Sequence, residues 1–217
     1  MSAIDYDREY SRIPDYFGSE PEELLTQHVH LIDDSLPVLD IGAGQGRHSF
    51  YLACRNYRVI AIDPSQVAVD GINRIVEKEK LPIDAKALTF EDLYTDPESF
   101  SAVVVCGLIQ MIDWDKIKLL IKRIDNWLAP GGYLFITAWT IADSSYEIHQ
   151  IKSKPIGKNS FRTPAGQVYT FLEKNELKSI FSGYEPVYYH EGWGKWHTHG
   201  DGDPERHARA EGVFRKA

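Results

Sequence analysis

The chain has 217 residues, 43 % hydrophobic and 26 % charged, proportions that exclude a disordered, collagen-like or coiled-coil polymer and suit one decorated globular domain. Acidic residues outnumber basic ones by 32 to 24, a net charge of −8 that opposes the phosphate backbone a nucleic-acid partner would present. Nucleic acid is therefore not expected as a partner. In chain order, Ser19 and Glu22 form a capping-box pattern opening a helix over 20–32, with Leu24, Leu25, His28, Leu31 and Ile32 on one stripe. Apolar, β-branched runs predict strands at 37–41, 58–62, 85–90, 102–106 and 133–139. Most are continuously apolar, the pattern of strands covered on both faces in a parallel sheet.

Ser65 is placed to cap a second helix, whose Val67, Ala68, Ile72, Ile75 and Val76 would face the sheet. Asp113 is placed to cap a third, with Ile117, Leu120, Ile121, Ile124 and Leu128 at helical spacing until Ala129-Pro130-Gly131-Gly132 stops it. Residues 140–167 show no period and carry Pro155, Gly157, Pro164 and Gly166, which predicts a surface excursion or an active-site cover. Beyond them an extended piece over 161–171, a short helix over 173–181 and final strands at 184–191 and 212–216 are expected. The architecture expected is a doubly wound α/β sheet ending in a β-hairpin. The N-terminal stretch MSAIDYDREYSRIPDYF has no leader pattern, and no apolar run is long enough to span a membrane. Cys54 and Cys106 show no CxxC or zinc-ligand spacing and fit a reducing, cytoplasmic setting.

The stretch that carries chemistry joins the first strand to a helix: Asp40-Ile41-Gly42-Ala43-Gly44-Gln45-Gly46-Arg47. Glycines at such a junction let a ligand lie against bare backbone, and the first amides of the next helix suit an anionic group. A dinucleotide fingerprint would set its third glycine where this chain has Arg47. Asp63 ends the second strand, where a carboxylate accepts hydrogen bonds from both hydroxyls of a ribose. That position serves an adenosine ligand of either kind.

The D-x-G-x-G-x-G spacing resembles motif I of the class I S-adenosylmethionine-dependent methyltransferases. Glu91-Asp92-Leu93 resembles that family's acidic position beside adenine, and 128–136 resembles its post-motif-III signature; the likeness covers 36–139. Tyr16-Phe17-Gly18-Ser19-Glu20-Pro21, Gly46-Arg47-His48 and Glu173-Lys174-Asn175-Glu176-Leu177 are similar to the small-molecule, tellurite-resistance-type branch, although Ser101 stands where such chains often carry an acid. No Asn- or Asp-Pro-Pro-aromatic segment follows the fourth strand, so methylation of a flipped base lacks its usual signal.

The resemblance implies a Rossmann-like, mostly parallel seven-stranded sheet with a C-terminal antiparallel hairpin. It divides a single 1–217 domain into an N-terminal cap (1–35), a cofactor core (36–139) and a substrate side (140–217). It implies S-adenosylmethionine as cofactor, S-adenosylhomocysteine as product, and a methyl group passed to a small-molecule acceptor by in-line displacement. Asp40, Gly42, Gly44, Gly46, Arg47, Asp63, Pro64, Ser65, Glu91, Asp92, Leu93, Cys106 and Gly107 would line the cofactor. Arg47 would lie near its carboxylate, and Cys106 would be a packing residue rather than a nucleophile. A NAD-type dinucleotide-dependent oxidoreductase and a non-catalytic sensor of the same cofactor remain the alternatives, and the chain could be a monomer or a homodimer.

On the acceptor side Tyr10, Tyr16, Phe17, Gln110, Trp139 and Trp193 are candidate pocket walls. His197, His199, Asp201 and His207 fall on the loop between the last two strands. If the first of those strands runs parallel to the sheet, the loop emerges at the ligand-binding edge. There His197 and His199 could act as general bases, the imidazoles could bind a divalent metal with the carboxylates, or the loop could be plain surface. Spacing alone assigns no metal. Segment 147–164 sets Lys152, Lys154, Lys158 and Arg162 against Glu147, a local excess that would attract a carboxylate-bearing substrate.

Overall fold

The computed structural model describes residues 5–217. Residues 1–4 of the stretch read for a leader lie outside the described residues. Two short helices, α1 (Tyr6–Arg12) and α2 (Glu23–His28), precede the sheet. The core then alternates: β1 (Val38–Ile41), α3 (Arg47–Ala53), β2 (Val59–Asp63), α4 (Gln66–Glu79), β3 (Ile83–Ala87), β4 (Phe100–Val105), α5 (Trp114–Trp127) and β5 (Leu128–Trp139). An excursion of α6 (Ser145–Lys152), β6 (Lys154–Gly157), β7 (Ser160–Arg162) and β8 (Val168–Thr170) leads to α7 (Glu176–Ile180) and the hairpin β9 (Tyr184–Trp193) and β10 (Ala208–Lys216).

The main sheet runs in the order β3-β2-β1-β4-β5-β10-β9. The first five strands are mutually parallel, while β10 is antiparallel to both β5 and β9. Hence β9 runs with the parallel set, and the β9–β10 loop emerges at the carboxyl ends of the strands, as the sequence suggested. Both faces are covered. Leu39, Val103 and Val105 pack with Ile117, Leu120, Ile124 and Trp127 of α5, whereas Val38, Ala102 and Val104 pack with Leu24, Leu25, Leu52 and Ile72 on the other side. Alternate residues of one strand thus feed two separate cores, which explains why β1 and β4 are buried throughout. Among the described residues no helix is long and apolar enough to cross a membrane.

Several local expectations shift. Ser19 does not cap α2, which opens at Glu23 behind Glu22, because the Glu22 carboxylate is held by Arg47 and Arg209. That helix narrows into a 3₁₀ turn at Val29–Leu31 instead of running to Ile32. Strand β3 ends at Ala87 rather than residue 90; it is an edge strand whose Asp84 and Lys86 face solvent, and the chain turns at Thr89 where Asp92 donates back to its carbonyl. Residues 129–132 do leave the ladder, but as a bulge inside β5: Phe100 pairs with Leu128 and Ala102 already with Tyr133. The two capping aspartate and serine assignments are observed directly, since Ser65 accepts from the Ala68 amide at 3.1 Å and Asp113 from the Lys116 amide at 3.1 Å. Residues 140–167 hold α6, β6 and β7, and the two strands join β8 in a small antiparallel sheet, β6-β7-β8.

Candidate functional site

At the end of β1 the backbone reverses through Gly44 (φ +53°) and Gly46 (φ +91°), left-handed conformations that side chains resist. A Cβ at Gly46 would meet Ile72 and Phe50 at 2.9 Å, so glycine there lets α3 pack against α4. A Cβ at Gly44 would sit 3.3 Å from the Tyr10 hydroxyl; the turn is bare on the side that faces the N-terminal segment. Gly42 and Ala43 donate to the Ile62 carbonyl at 2.9 and 3.1 Å, which ties the turn to the end of β2.

Asp63 closes β2 directly beside this turn. Its carboxylate accepts from the Gly44 amide at 2.8 Å and the Ser65 amide at 2.9 Å. Burial raises its pKa, opposed by those two amides and assisted by Asp7. The Ser65 hydroxyl donates to Asp7 of α1, and Pro64 is exposed. Asp40 is fully enclosed beneath the turn, where it accepts from the Ser49 hydroxyl at 2.7 Å, and burial pushes its carboxyl up to about 6. Its carboxylate is thus engaged within the fold.

A cover of aromatic residues lies over the turn. Tyr6, Tyr10, Tyr16 and Phe17 form a contiguous cluster with centroids 4.9 to 6.3 Å apart. Burial, with the Asp63 charge nearby, raises the phenols of Tyr6 and Tyr10 above their ordinary range. Gln45, the residue between two motif glycines, staples this cover: it accepts from the Tyr16 amide at 2.7 Å and donates to the Ile13 carbonyl at 3.0 Å. Arg47, expected beside a cofactor carboxylate, instead donates to the Phe17 carbonyl at 3.0 Å and pairs with Glu22 at 3.2 Å. Burial alone would raise the pKa of Glu22, but Arg209 and Arg47 outweigh it and hold the carboxyl below its ordinary range.

Along the same sheet edge, Leu93 is buried, Glu91 pairs with Lys116 at 2.8 Å, and exposed Asp92 accepts from the Thr89 hydroxyl at 2.6 Å. Cys106 is buried and burial raises its thiol, so it is no thiolate. The Gly107 amide is held by the Thr137 hydroxyl at 3.0 Å. Gln110 is buried with its Oε1 unpartnered, while its Nε2 lies 3.7 Å from the Cβ position of Gly107.

The acceptor side assembles from distant segments. Trp139, at the end of β5, stacks on His207 at 3.8 Å and on Tyr169 of β8 at 6.1 Å. His199 packs edge-on to Phe17 at 4.8 Å and stacks on Tyr16 at 6.2 Å, joining the last loop to the N-terminal cover. His197, His199 and His207 are brought together, but Asp201 is not with them: it reaches out to Arg12 at 3.0 Å, and Glu205 takes its place. Trp193 stands 47 % exposed against Arg206. The basic excess of 147–164 is partly neutralised, since Lys158 pairs with Glu173 and Glu176 at 3.1 and 2.8 Å. Sequence reasoning missed Tyr6, Tyr169, Asp143, Thr137 and Glu205; only Tyr6, one helical turn before Tyr10, carried a periodic signal.

Comparison with known proteins bears directly on this glycine turn and its acid. Residues 38–132 match the methyltransferase domain family. Over that stretch, a little under half of the chain, the sequence is similar to methyltransferase domains. It is 27 % identical over 193 residues to a Haemophilus influenzae (strain 10810) protein described as "Probable S-adenosyl-L-methionine-dependent methyltransferase TehB", covering 87 % of this chain and 61 % of the relative. The chain thus spans about three-fifths of that relative's length. The crystal structure of TehB from Haemophilus influenzae superposes with a TM-score of 0.68 at 23 % identity, covering 90 % of this chain and 62 % of that one. A Burkholderia thailandensis 1,6-didemethyltoxoflavin-N1-methyltransferase, solved with 1,6-didemethyltoxoflavin and S-adenosylhomocysteine, superposes with a TM-score of 0.64 at 18 % identity, over 96 % of this chain and 80 % of that one. These likenesses establish the seven-stranded Rossmann-like fold.

Proposed function

We propose that this chain transfers a methyl group from S-adenosylmethionine to a small-molecule acceptor by in-line displacement. The observation that carries this reading is the contact of Gly44 with Asp63 at 2.8 Å, which sets a bare glycine backbone and a ribose-binding carboxylate side by side at the strand edge. The carboxylate still has acceptor capacity beyond its two amide partners. Leu93, Cys106 and Gly107 would bound the adenine, with Asp92 in reach of solvent at its rim. Pro64 and Ser65 would flank the ribose, and Asp40 and Gly42 would support the turn. Arg47 would act by anchoring the cover rather than by holding the cofactor's carboxylate.

S-adenosylmethionine supplies an activated methyl: the acceptor's lone pair forms the new bond as the carbon–sulfur bond breaks, with the electron pair staying on sulfur. The protein's part is alignment and exclusion of water. Helix α1 has no fully buried residue and its Tyr6 and Tyr10 are only half-buried, so α1 would swing aside to admit a nucleoside and settle back with Tyr6 and Tyr10 over it. Tyr16, Phe17, Trp139 and Gln110 would then face the acceptor, with Tyr169 added to the wall. His199 is a poor base, because burial, then the neighbouring His197, His207 and Arg47, lower its pKa to about 4; the acceptor's proton would pass to solvent. The unpaired thiols Cys54 and Cys106 fit a reducing cytoplasm, where the chain would act as a monomer or homodimer.

Calorimetry with S-adenosylmethionine and with NAD tests the reading, together with S-adenosylhomocysteine release against a panel of small acceptors. The sulfonium cofactor should bind and NAD should not. Replacing Asp63→Ala should weaken cofactor binding by about 1.5–3 kcal/mol, roughly 10- to 150-fold, through loss of charged hydrogen bonds. Binding of NAD alone would mark an oxidoreductase, and cofactor binding without turnover on any acceptor would mark a sensor.

A further inference from the structure

The β9–β10 loop gathers three imidazoles and a carboxylate from a hairpin that is paired at its base. His197 and Glu205 face each other with both backbone hydrogen bonds formed, at 2.9 and 2.8 Å. His207 lies two residues further on, stacked against Trp139 at 3.8 Å. One ligand-capable atom from each of His197, His199, Glu205 and His207 lies within 4.8 Å of the others. Ligands around one ion with bonds of about 2 Å sit roughly 3–4 Å apart, so small side-chain rotations close the set.

The ring nitrogens are already sorted for coordination. His207 gives its Nδ1 hydrogen to Asp143 at 3.1 Å. The same Asp143 carboxylate accepts from the Ser145 amide at 2.9 Å and the Ala208 amide at 2.9 Å, which fixes it against the ring. With Nδ1 protonated, Nε2 carries a lone pair, and that atom is buried without any hydrogen-bond partner. Its nearest acidic atom is Glu205 Oε2 at 3.6 Å, beyond hydrogen-bonding reach. A carboxylate–imidazole pair with a free inward nitrogen is the arrangement that orients metal-ligating histidines. At His197 a backbone carbonyl fixes the ring instead: its Nδ1 lies 3.0 Å from the Lys195 carbonyl oxygen. His199 Nδ1 lies 2.9 Å from Glu205 Oε1, so the fourth residue of the set is already in contact with it. A buried Nε2 without a partner destabilises the free protein, and a bound cation would remove that penalty.

We propose that His197, His199, Glu205 and His207 form a binding site for a divalent first-row transition metal. Three imidazole nitrogens and one carboxylate suit zinc, iron(II), cobalt(II) or nickel(II), whereas magnesium and calcium demand an oxygen shell. Because His199 also packs on Tyr16 and Phe17, the ion sits at the rim of the aromatic cover, on the acceptor side. The site stands on its own geometry and does not depend on methyl transfer.

The 217-residue chain, stripped with a chelator and dialysed, is titrated with zinc by calorimetry and with cobalt(II) by visible absorption. One equivalent should bind with micromolar or tighter affinity, and cobalt should give ligand-field bands; millimolar magnesium should not compete. Replacing His197→Ala, an exposed side chain whose loss spares the fold, should weaken zinc by about 100-fold, and His207→Ala or Glu205→Gln by at least 10-fold. Replacing His190→Ala, an exposed histidine outside the cluster, should leave affinity unchanged. Circular dichroism of each variant separates lost ligands from lost fold. Failure to bind zinc, or equal affinity in wild type and His197→Ala, would overturn the site, whatever S-adenosylmethionine does in a parallel titration.

Discussion

The two halves of the carboxyl edge are built in different ways. The glycine half is made largely of backbone: β1 and β2 are joined by ladder hydrogen bonds, and the acid ending β2 is fixed by the Gly44 and Ser65 backbone amides it accepts from, all within a stretch of sequence from Asp40 to Ser65. The histidine half is made of side chains drawn from far apart: Phe17, Trp139, Asp143, Tyr169 and His199 meet only in the folded chain. A site made of backbone tolerates little change in its glycines but is indifferent to most side chains. One made of side chains can exchange partners while the fold stays the same, which suits the half that would choose the acceptor.

The largest effect that would sharpen this contrast is expected at Gly46. Changing Gly46→Ala places a Cβ at φ +91° and 2.9 Å from both Ile72 and Phe50, which should cost about 3 kcal/mol of stability from strain plus overpacking. Urea unfolding measures this; a loss under about 0.5 kcal/mol would mean that the turn is not a rigid backbone element.

Next comes a pH effect confined to the same half. His48 is buried in α3 with its Nε2 unpartnered, and burial, then Arg47, depress its pKa to about 3. Because the folded value lies below the unfolded one, the unfolded chain takes up the proton first, and stability falls as pH drops from about 6.5 toward 3. At pH 5 this amounts to about 2 kcal/mol relative to pH 7. Asp40 works in the opposite sense, since its raised carboxyl binds a proton more readily in the folded state. That contribution is common to wild type and a His48→Gln variant, so the difference between their pH 7 and pH 5 stabilities isolates His48. Parallel profiles for the two proteins would contradict the assignment.

The smallest effect is expected at Trp193. This side chain is exposed against Arg206, and Trp193→Ala should change stability by less than about 0.5 kcal/mol and leave cofactor affinity unaltered. A large loss of turnover would move Trp193 into the acceptor wall.

Legibility in the sequence followed the same division. The glycine turn, Asp63 and the caps at Ser65 and Asp113 could be read because each depends on neighbours a few residues away. The run 85–90 misled because β-branched Thr89 and aromatic Phe90 suit a strand yet form the turn that follows the edge strand β3, closed by the Asp92 amide on the Thr89 carbonyl. The α2 cap failed because Glu22, whose spacing fits a box, is drawn instead to Arg47 and Arg209, one of them in the last strand. In the histidine loop the residue types announced chemistry, but the choice of Glu205 over Asp201 is made by the register of the hairpin, and Asp143 meets His207 across 64 positions. The excursion 140–167 had no period to read because its strands are three or four residues long and α6 buries nothing.

The most direct test is a crystal structure of the chain with S-adenosylhomocysteine. The nucleoside should lie over Gly42–Gly46 with both ribose hydroxyls on the Asp63 carboxylate, and Tyr6 and Tyr10 should be displaced from their places above Gly44. A ligand bound elsewhere, with α1 still seated on the turn and Asp63 bonded only to Gly44 and Ser65, would contradict it.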